Sequence, residues 1–225
     1  MLSKFVLSHR LQAILEHIVG DCLADIGTDH GYLPIQAILD GRCKKAIACD
    51  IRPGPLGACE ANVRTAGLAD CIDIRLGDGL QPLLPGEADT IVISGMGGMA
   101  MWNIILEEIQ KAKLATRLIL QPQHDLEELR KNLHAVGFEI FFEKLAREGS
   151  RFYVILGTRY TGTQQAWTPK EYFLGKHLLL NEDENLHIYL AAQHEKISRY
   201  IQSINDEKSR ETAENRLKWI KDTVS

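Results

Sequence analysis

Acids and glycines recur where the apolar runs of this chain end, and residues of that kind could hold a cationic nucleoside. The first such place is Asp25-Ile-Gly-Thr-Asp-His-Gly-Tyr-Leu-Pro34, which continues the apolar run from Cys22. Gly27 and Gly31 let backbone approach a ligand closely, and Pro34 suits the first turn of a helix. A dinucleotide loop would read G-x-G-x-x-G and seat a diphosphate on the helix amino terminus. Here Asp25 and Asp29 put two carboxylates into the loop, and carboxylates repel phosphate. The guest they suit is a phosphate-free nucleoside carrying positive charge, a description that S-adenosylmethionine meets.

Two more acids extend the pattern. Asp50 ends a second apolar run that begins at Lys45, where a carboxylate can accept both hydroxyls of a ribose. Asp78 lies between Gly77 and Gly79 at the end of a third run, where its side chain and the neighbouring amides could read an adenine edge. Either acid alone is equally well explained as a solvated turn residue; acids at three successive strand ends are harder to explain that way. Thr28, Asp29 and His30 would line the methionine portion. The fourth run ends in Ser94-Gly-Met-Gly-Gly98, whose glycines offer backbone groups and space to a flat methyl acceptor, a plain glycine-rich connection being the alternative. Gln121 and Pro122, ending the fifth run, could add an amide to the same pocket.

Placing these loops together requires alternating strands and helices. Strands are expected over 22–26, 45–50, 71–78, 89–95 and 117–122, with intervening helices that include 102–112 and 125–136. Ser8 can cap an opening helix that runs through Leu11, Ile14, Leu15 and Ile18 to Gly20. Residues 138–144 and 151–158 read as an antiparallel hairpin. Such alternation implies an α/β fold with a doubly wound, mostly parallel sheet over residues 1–160. Beyond a polar linker at 161–165, the spacing of Leu186, Leu190, Ile197, Tyr200 and Ile204, and of Ala213, Leu217, Ile220 and Val224, predicts a pair of coiled-coil-like helices. Residues 161–225 would then be a small helical domain that either docks a partner or covers the sheet edge.

The chain of 225 residues is 45% hydrophobic and 25% charged, ordinary values for a globular protein, and its formal net charge of -4 argues against a nonspecific nucleic-acid coat. A local basic patch remains compatible with that balance. Five cysteines without a C-x-x-C pair read as buried free thiols, so no metal is expected. The charged, amphipathic start is unlike a signal sequence, and no run is apolar enough to span a membrane. A cytoplasmic location is therefore expected, without a membrane partner, and nothing in the sequence sets an oligomeric state.

Leu7-Ser-His-Arg-Leu11, Asp25 to Pro34, Gly77-Asp-Gly-Leu80, Ser94 to Gly98 and Leu118-Ile-Leu-Gln-Pro122, in this order, resemble the signature stretches of the bacterial tRNA (adenine(22)-N1)-methyltransferase family. The resemblance implies a Rossmann-like methyltransferase sheet and methyl transfer from S-adenosylmethionine to N1 of an adenine in the D-loop region of tRNA. It implies cofactor contacts from Asp25, Gly27, Thr28, Gly31, Asp50, Ile51, Asp78, Gly79, Ser94 and Gly95. It makes Asp29 and His30 the catalytic candidates, Asp29 stabilising the charge that develops on the base. Capping of the next helix is the other reading of Asp29. Substrate contacts would come from Arg10, Tyr32, Met96, Gly97, Gly98, Gln121 and Pro122. The base must be turned out of its helix, a cost that phosphate contacts from Lys4, Arg10, Arg52, Arg147 and Arg151 would offset. Lys196, Arg199 and Arg216, interleaved with acids, read as solvated helix surface. The rival readings are a methyltransferase with a small-molecule or protein acceptor and a nonenzymatic module that binds S-adenosylmethionine.

Overall fold

The computed structural model describes residues 6–181 and 183–224; Lys4 lies outside the described residues. Five parallel strands, β1 (Cys22–Ile26), β2 (Lys45–Asp50), β3 (Ile72–Leu76), β4 (Thr90–Met96) and β5 (Arg117–Pro122), are joined by β6 (Phe138–Glu148) and β7 (Arg151–Tyr160), an antiparallel hairpin. They form one seven-stranded sheet in the order β3-β2-β1-β4-β5-β7-β6, with β7 antiparallel to β5.

Helices cover both faces of the sheet, and the period of two along each strand decides which face a side chain meets. Ala24, Ile91, Ile93, Leu118 and Leu120 pack with α4 (Gly98–Glu107), α5 (Ile109–Leu114) and α6 (Leu126–Ala135). Leu23, Val92 and Ile119 point the other way, onto α1 (His9–Leu15), α2 (Tyr32–Leu39) and α3 (Pro53–Ala66). Burial on both sides explains why these strands read as unbroken apolar runs.

Several boundaries differ from expectation. The opening helix stops at Leu15 because the chain tightens into three-residue turns, His17 N donating to Ile14 O and Ile18 N to Leu15 O, before Gly20 turns into β1. The helix expected over 102–112 is two helices, broken at Glu108, whose φ of -122° and ψ of 41° leave the helical region. Each hairpin strand is longer than expected, and β6 shifts register between Ile140 and Phe142.

After Tyr160, α7 (Pro169–Leu174) and α8 (Lys176–Leu180) lead into a hairpin of α9 (Leu186–Ile201) and α10 (Glu207–Val224). Leu174, Leu178, Leu186, Leu190 and Ile220 close on Leu145 and Val154 of the sheet, so these helices cover its β6–β7 edge. The attachment is also ionic. Arg130 on α6 donates to Glu143 on β6 at 2.7 Å and to the Tyr172 carbonyl at 2.7 Å, while Glu143 accepts from the His177 amide. Arg216, expected on a solvated face, instead donates to Glu127 at 2.7 Å and lies over the Phe173 ring.

Candidate functional site

The strand order reverses between β1 and its neighbours β2 and β4, and a crevice opens there at the carboxyl ends of the strands. A cavity of about 720 Å³ occupies it. The β1 loop forms its floor, and a single acceptor fixes that loop: Gly27 N and Thr28 N both donate to the Cys49 carbonyl of β2, at 2.8 and 2.9 Å. The Thr28 hydroxyl donates to Asp25 at 2.7 Å. Asp25 and Asp50 are each only 4% exposed, yet both line the cavity.

These contacts set the electrostatics. Burial pushes the Asp25 carboxyl up to about 6, with the Thr28 hydroxyl and the Arg10 guanidinium opposing the rise and Asp50 adding to it. One Asp50 oxygen accepts the Arg52 amide at 2.8 Å, which fixes the carboxylate at the mouth of β2. A diphosphate guest would find the Gly27 and Thr28 amides already engaged and two buried acids facing it. A guest with hydroxyl and ammonium donors and a positive charge would find acceptors. S-adenosylmethionine has that donor set, so the residues present fit it.

The structure brings most of the expected residues to this cavity. Asp25, Gly27, Thr28, Asp50 and Ile51 line it, and so do Asp78, Gly79, Ser94 and Gly95. Asp29, His30 and Tyr32 lie on the α2 side, with the His30 and Tyr32 rings stacked at 5.4 Å, and Arg10 and Met96 complete the expected lining. Asp29 does not cap α2. That position belongs to Gly31, and Asp29 takes a left-handed φ of 53° two residues earlier.

Five residues fall elsewhere. Gly31 lies behind the loop at φ 72°, where a Cβ would come within 2.5 Å of the Cys59 sulfur. Gln121 is fully buried, its oxygen accepting from Arg10 Nη1 at 2.7 Å and its amide donating to the Pro122 carbonyl, so it holds Arg10 rather than facing a guest. Pro122 is buried beside it. The side-chain space at Gly97 and Gly98 is already filled: a Cβ on Gly97 would lie 2.3 Å from the His124 ring, and one on Gly98 would lie 2.6 Å from the Asp125 carbonyl. The glycines let the β5–α6 loop close onto the β4 loop, with Gly98 N donating to the His124 carbonyl and Gln123 N to that of Met96.

Other lining residues gave little sequence signal. Ile104 reads as helix core by its spacing and Gln123 as an ordinary loop residue, yet both line the cavity, as does Arg52, which was expected to contact phosphate. Arg147 lies on the hairpin, its guanidinium over the Phe152 ring and donating to the Gly149 carbonyl. Cys43, Cys49 and Cys59 are buried free thiols, and burial pushes Cys49 up to about 12. Among the described residues no helix is long and apolar enough to cross a membrane.

Residues 7–156 match the family model described as a methyltransferase domain. The tRNA (adenine(22)-N(1))-methyltransferase of Bacillus subtilis (strain 168) is 37% identical over 156 residues, which make up 69% of this chain and 66% of that protein. The crystal structure of the B. subtilis M1A22 tRNA methyltransferase TrmK superposes with a TM-score of 0.87 at 27% identity, covering 99% of this chain and 100% of that one. A Streptococcus pneumoniae protein crystallised with S-adenosyl-L-methionine superposes with a TM-score of 0.89 at 29% identity, covering 98% of this chain and all of the other.

Proposed function

The chain belongs to the tRNA (adenine(22)-N(1))-methyltransferase family, and from that membership we propose that it methylates N1 of adenine 22 in tRNA, using S-adenosylmethionine and working in the cytoplasm where tRNA is modified. The observation that carries this reading is the convergence of Asp25, Asp50 and Asp78 on one cavity whose loop amides are already engaged.

Bound S-adenosylmethionine supplies a methyl group on a sulfonium, which a nucleophile with an in-plane lone pair can displace. The chain's own residues bind and orient. Asp50, held by the Arg52 amide, accepts the ribose hydroxyls. Ile51 and Ile104 offer apolar walls to the adenine, whose edge meets Asp78 and Gly79. Asp25 and Thr28 lie beneath the cationic portion, with Ser94 and Gly95 across from them. Adenine N1 needs no general base to attack, so alignment accounts for most of the catalysis. Methylation leaves positive charge on the base, and Asp29 at the mouth stabilises that charge as it develops. His30 and Tyr32 give the base a flat surface, Met96 borders its entry, and Arg10, steadied by Gln121, contacts the RNA. Residues 161–225 are read as a second, helical unit that extends the RNA surface.

The test is methyl transfer from labelled S-adenosylmethionine to unmodified tRNA, with the modified nucleoside mapped, alongside cofactor titrations of Asp50→Ala and Asp29→Ala. Expected are 1-methyladenosine at position 22, cofactor affinity in Asp50→Ala lower by about 50-fold from the loss of charge-assisted hydrogen bonds, and slower turnover with intact cofactor binding in Asp29→Ala. A wild-type protein that binds the cofactor but labels no tRNA would remove the RNA acceptor from the reading.

A further inference from the structure

The β5–α6 loop carries a feature that the reaction described above does not use. His124 Nδ1 and an Asp125 carboxylate oxygen meet at 2.8 Å, with the His124 side chain 68% exposed. Asp125 is in the left-handed region, φ 56°, and among the described residues Asp29 is the only other non-glycine there. The imidazole lies against Gly97 closely enough that any Cβ would strike it, yet Gly97 itself has an ordinary φ of -68°. Glycine at 97 is therefore needed for the ring and not for the backbone. Met96 and Gln123, one residue back along each loop, both line the cavity. A flat side chain is thus seated on the β4 loop, braced by a carboxylate and adjoining two residues of the cavity lining.

We infer that His124 is a stacking residue for the RNA strand. Its exposed face receives the extruded adenine or the base next to it, with Asp125 fixing the ring plane and Gly97 providing its seat. The inference rests on the tRNA reading of the cavity. The chemistry favours a nucleobase as the guest, because an exposed imidazole pinned against backbone offers a π-face at little entropic cost. It also explains why Gly97 on the β4 loop seats a side chain.

Steady-state methylation of unmodified tRNA by wild type, His124→Ala, His124→Phe, Gly97→Ala and the double variant Gly97→Ala/His124→Ala tests this, with cofactor affinity and thermal melts measured for each. His124→Ala should lower kcat/KM for tRNA by about tenfold, the scale of losing one stacked base, with S-adenosylmethionine affinity unchanged. His124→Phe should recover most of the loss, because a phenyl ring stacks but carries no proton. Gly97→Ala should reproduce the His124→Ala loss by displacing the ring, and the double variant should lose no more than either single change. Losses that add in the double variant, a His124→Phe as poor as His124→Ala, or an unaffected His124→Ala would each overturn the inference. If Gly97→Ala does not fold, the two His124 variants decide alone. A wild type that binds cofactor but methylates no tRNA overturns the acceptor reading itself, and that result is visible before any variant is assayed.

Discussion

Thr28, on the loop that leaves β1, and Asp25, three residues earlier near the end of that strand, are joined by a 2.7 Å hydrogen bond in which the hydroxyl donates to a carboxylate that is 4% exposed. The bond ties the last buried acid of the strand to the first residues of the cavity floor. It also leaves that acid incompletely compensated, because burial outweighs the Thr28 and Arg10 contributions and holds the carboxyl at about 6.

Asp25 is therefore expected to trade stability for binding. Its folded-state pKa lies above the ordinary 3.8, so the folded protein holds the proton more tightly than the unfolded chain. Stability without ligand then falls as pH rises from about 4 to about 6, and the penalty is fully present above that window. Asp25→Asn should raise the melting temperature at pH 7.5, by an amount on the order of 2–3 kcal/mol in stability, and leave it nearly unchanged at pH 4. The same substitution should weaken S-adenosylmethionine binding at pH 7.5. Calorimetric melts at both pH values, with a cofactor titration, check the pair; equal stabilisation at pH 4 and pH 7.5 would contradict it.

Gly31→Ala should destabilise by two separable routes. The left-handed φ of 72° costs a residue with a Cβ about 1–2 kcal/mol, and the new Cβ would come within 2.5 Å of the Cys59 sulfur. Adding Cys59→Ala removes the clash and keeps the strain. Denaturant unfolding should show the double variant recovering stability relative to Gly31→Ala without reaching the level of Cys59→Ala alone.

Arg130→Met should leave Glu143 buried with no cation, a change on the order of 3–5 kcal/mol. Arg130 also binds the Tyr172 carbonyl, and Glu143 also accepts the His177 amide. The loss should therefore appear first where α7 and α8 join the sheet. Hydrogen exchange should quicken in 169–180 well before it does in β1 or β4, and uniform acceleration through the sheet would count against this placement.

Most strand ends are readable in the sequence because β1, β2, β4 and β5 are buried on both faces, so their apolar runs stop where the crevice begins, whereas the edge strand β3 is only partly buried. Asp25 and Asp50 are readable for the same reason, and Asp78 is readable from the glycines on either side of it. The rest depends on partners distant in sequence. Gln121 looked like a pocket amide because its partner Arg10 lies on the opening helix. Gly97 and Gly98 looked like room for a base because the residues that fill their space, His124 and Asp125, follow the next strand. The break at Glu108 left no mark, since Trp102, Ile105 and Ala112 are all buried in one cluster on either side of it.

The Cys49 carbonyl accepts both the Gly27 and Thr28 amides and belongs to the residue just before Asp50. Two hydrogen bonds to one oxygen tie Asp50, the acid proposed above for the ribose, and the β1 turn into a single unit. The separation of Asp50 from the β1 turn is then set by these hydrogen bonds and the one peptide unit that joins Cys49 to Asp50. On the proposed cofactor placement, the enzyme is expected to tolerate altered bases at the exposed Asp78 end and to reject a cofactor homologue one methylene longer.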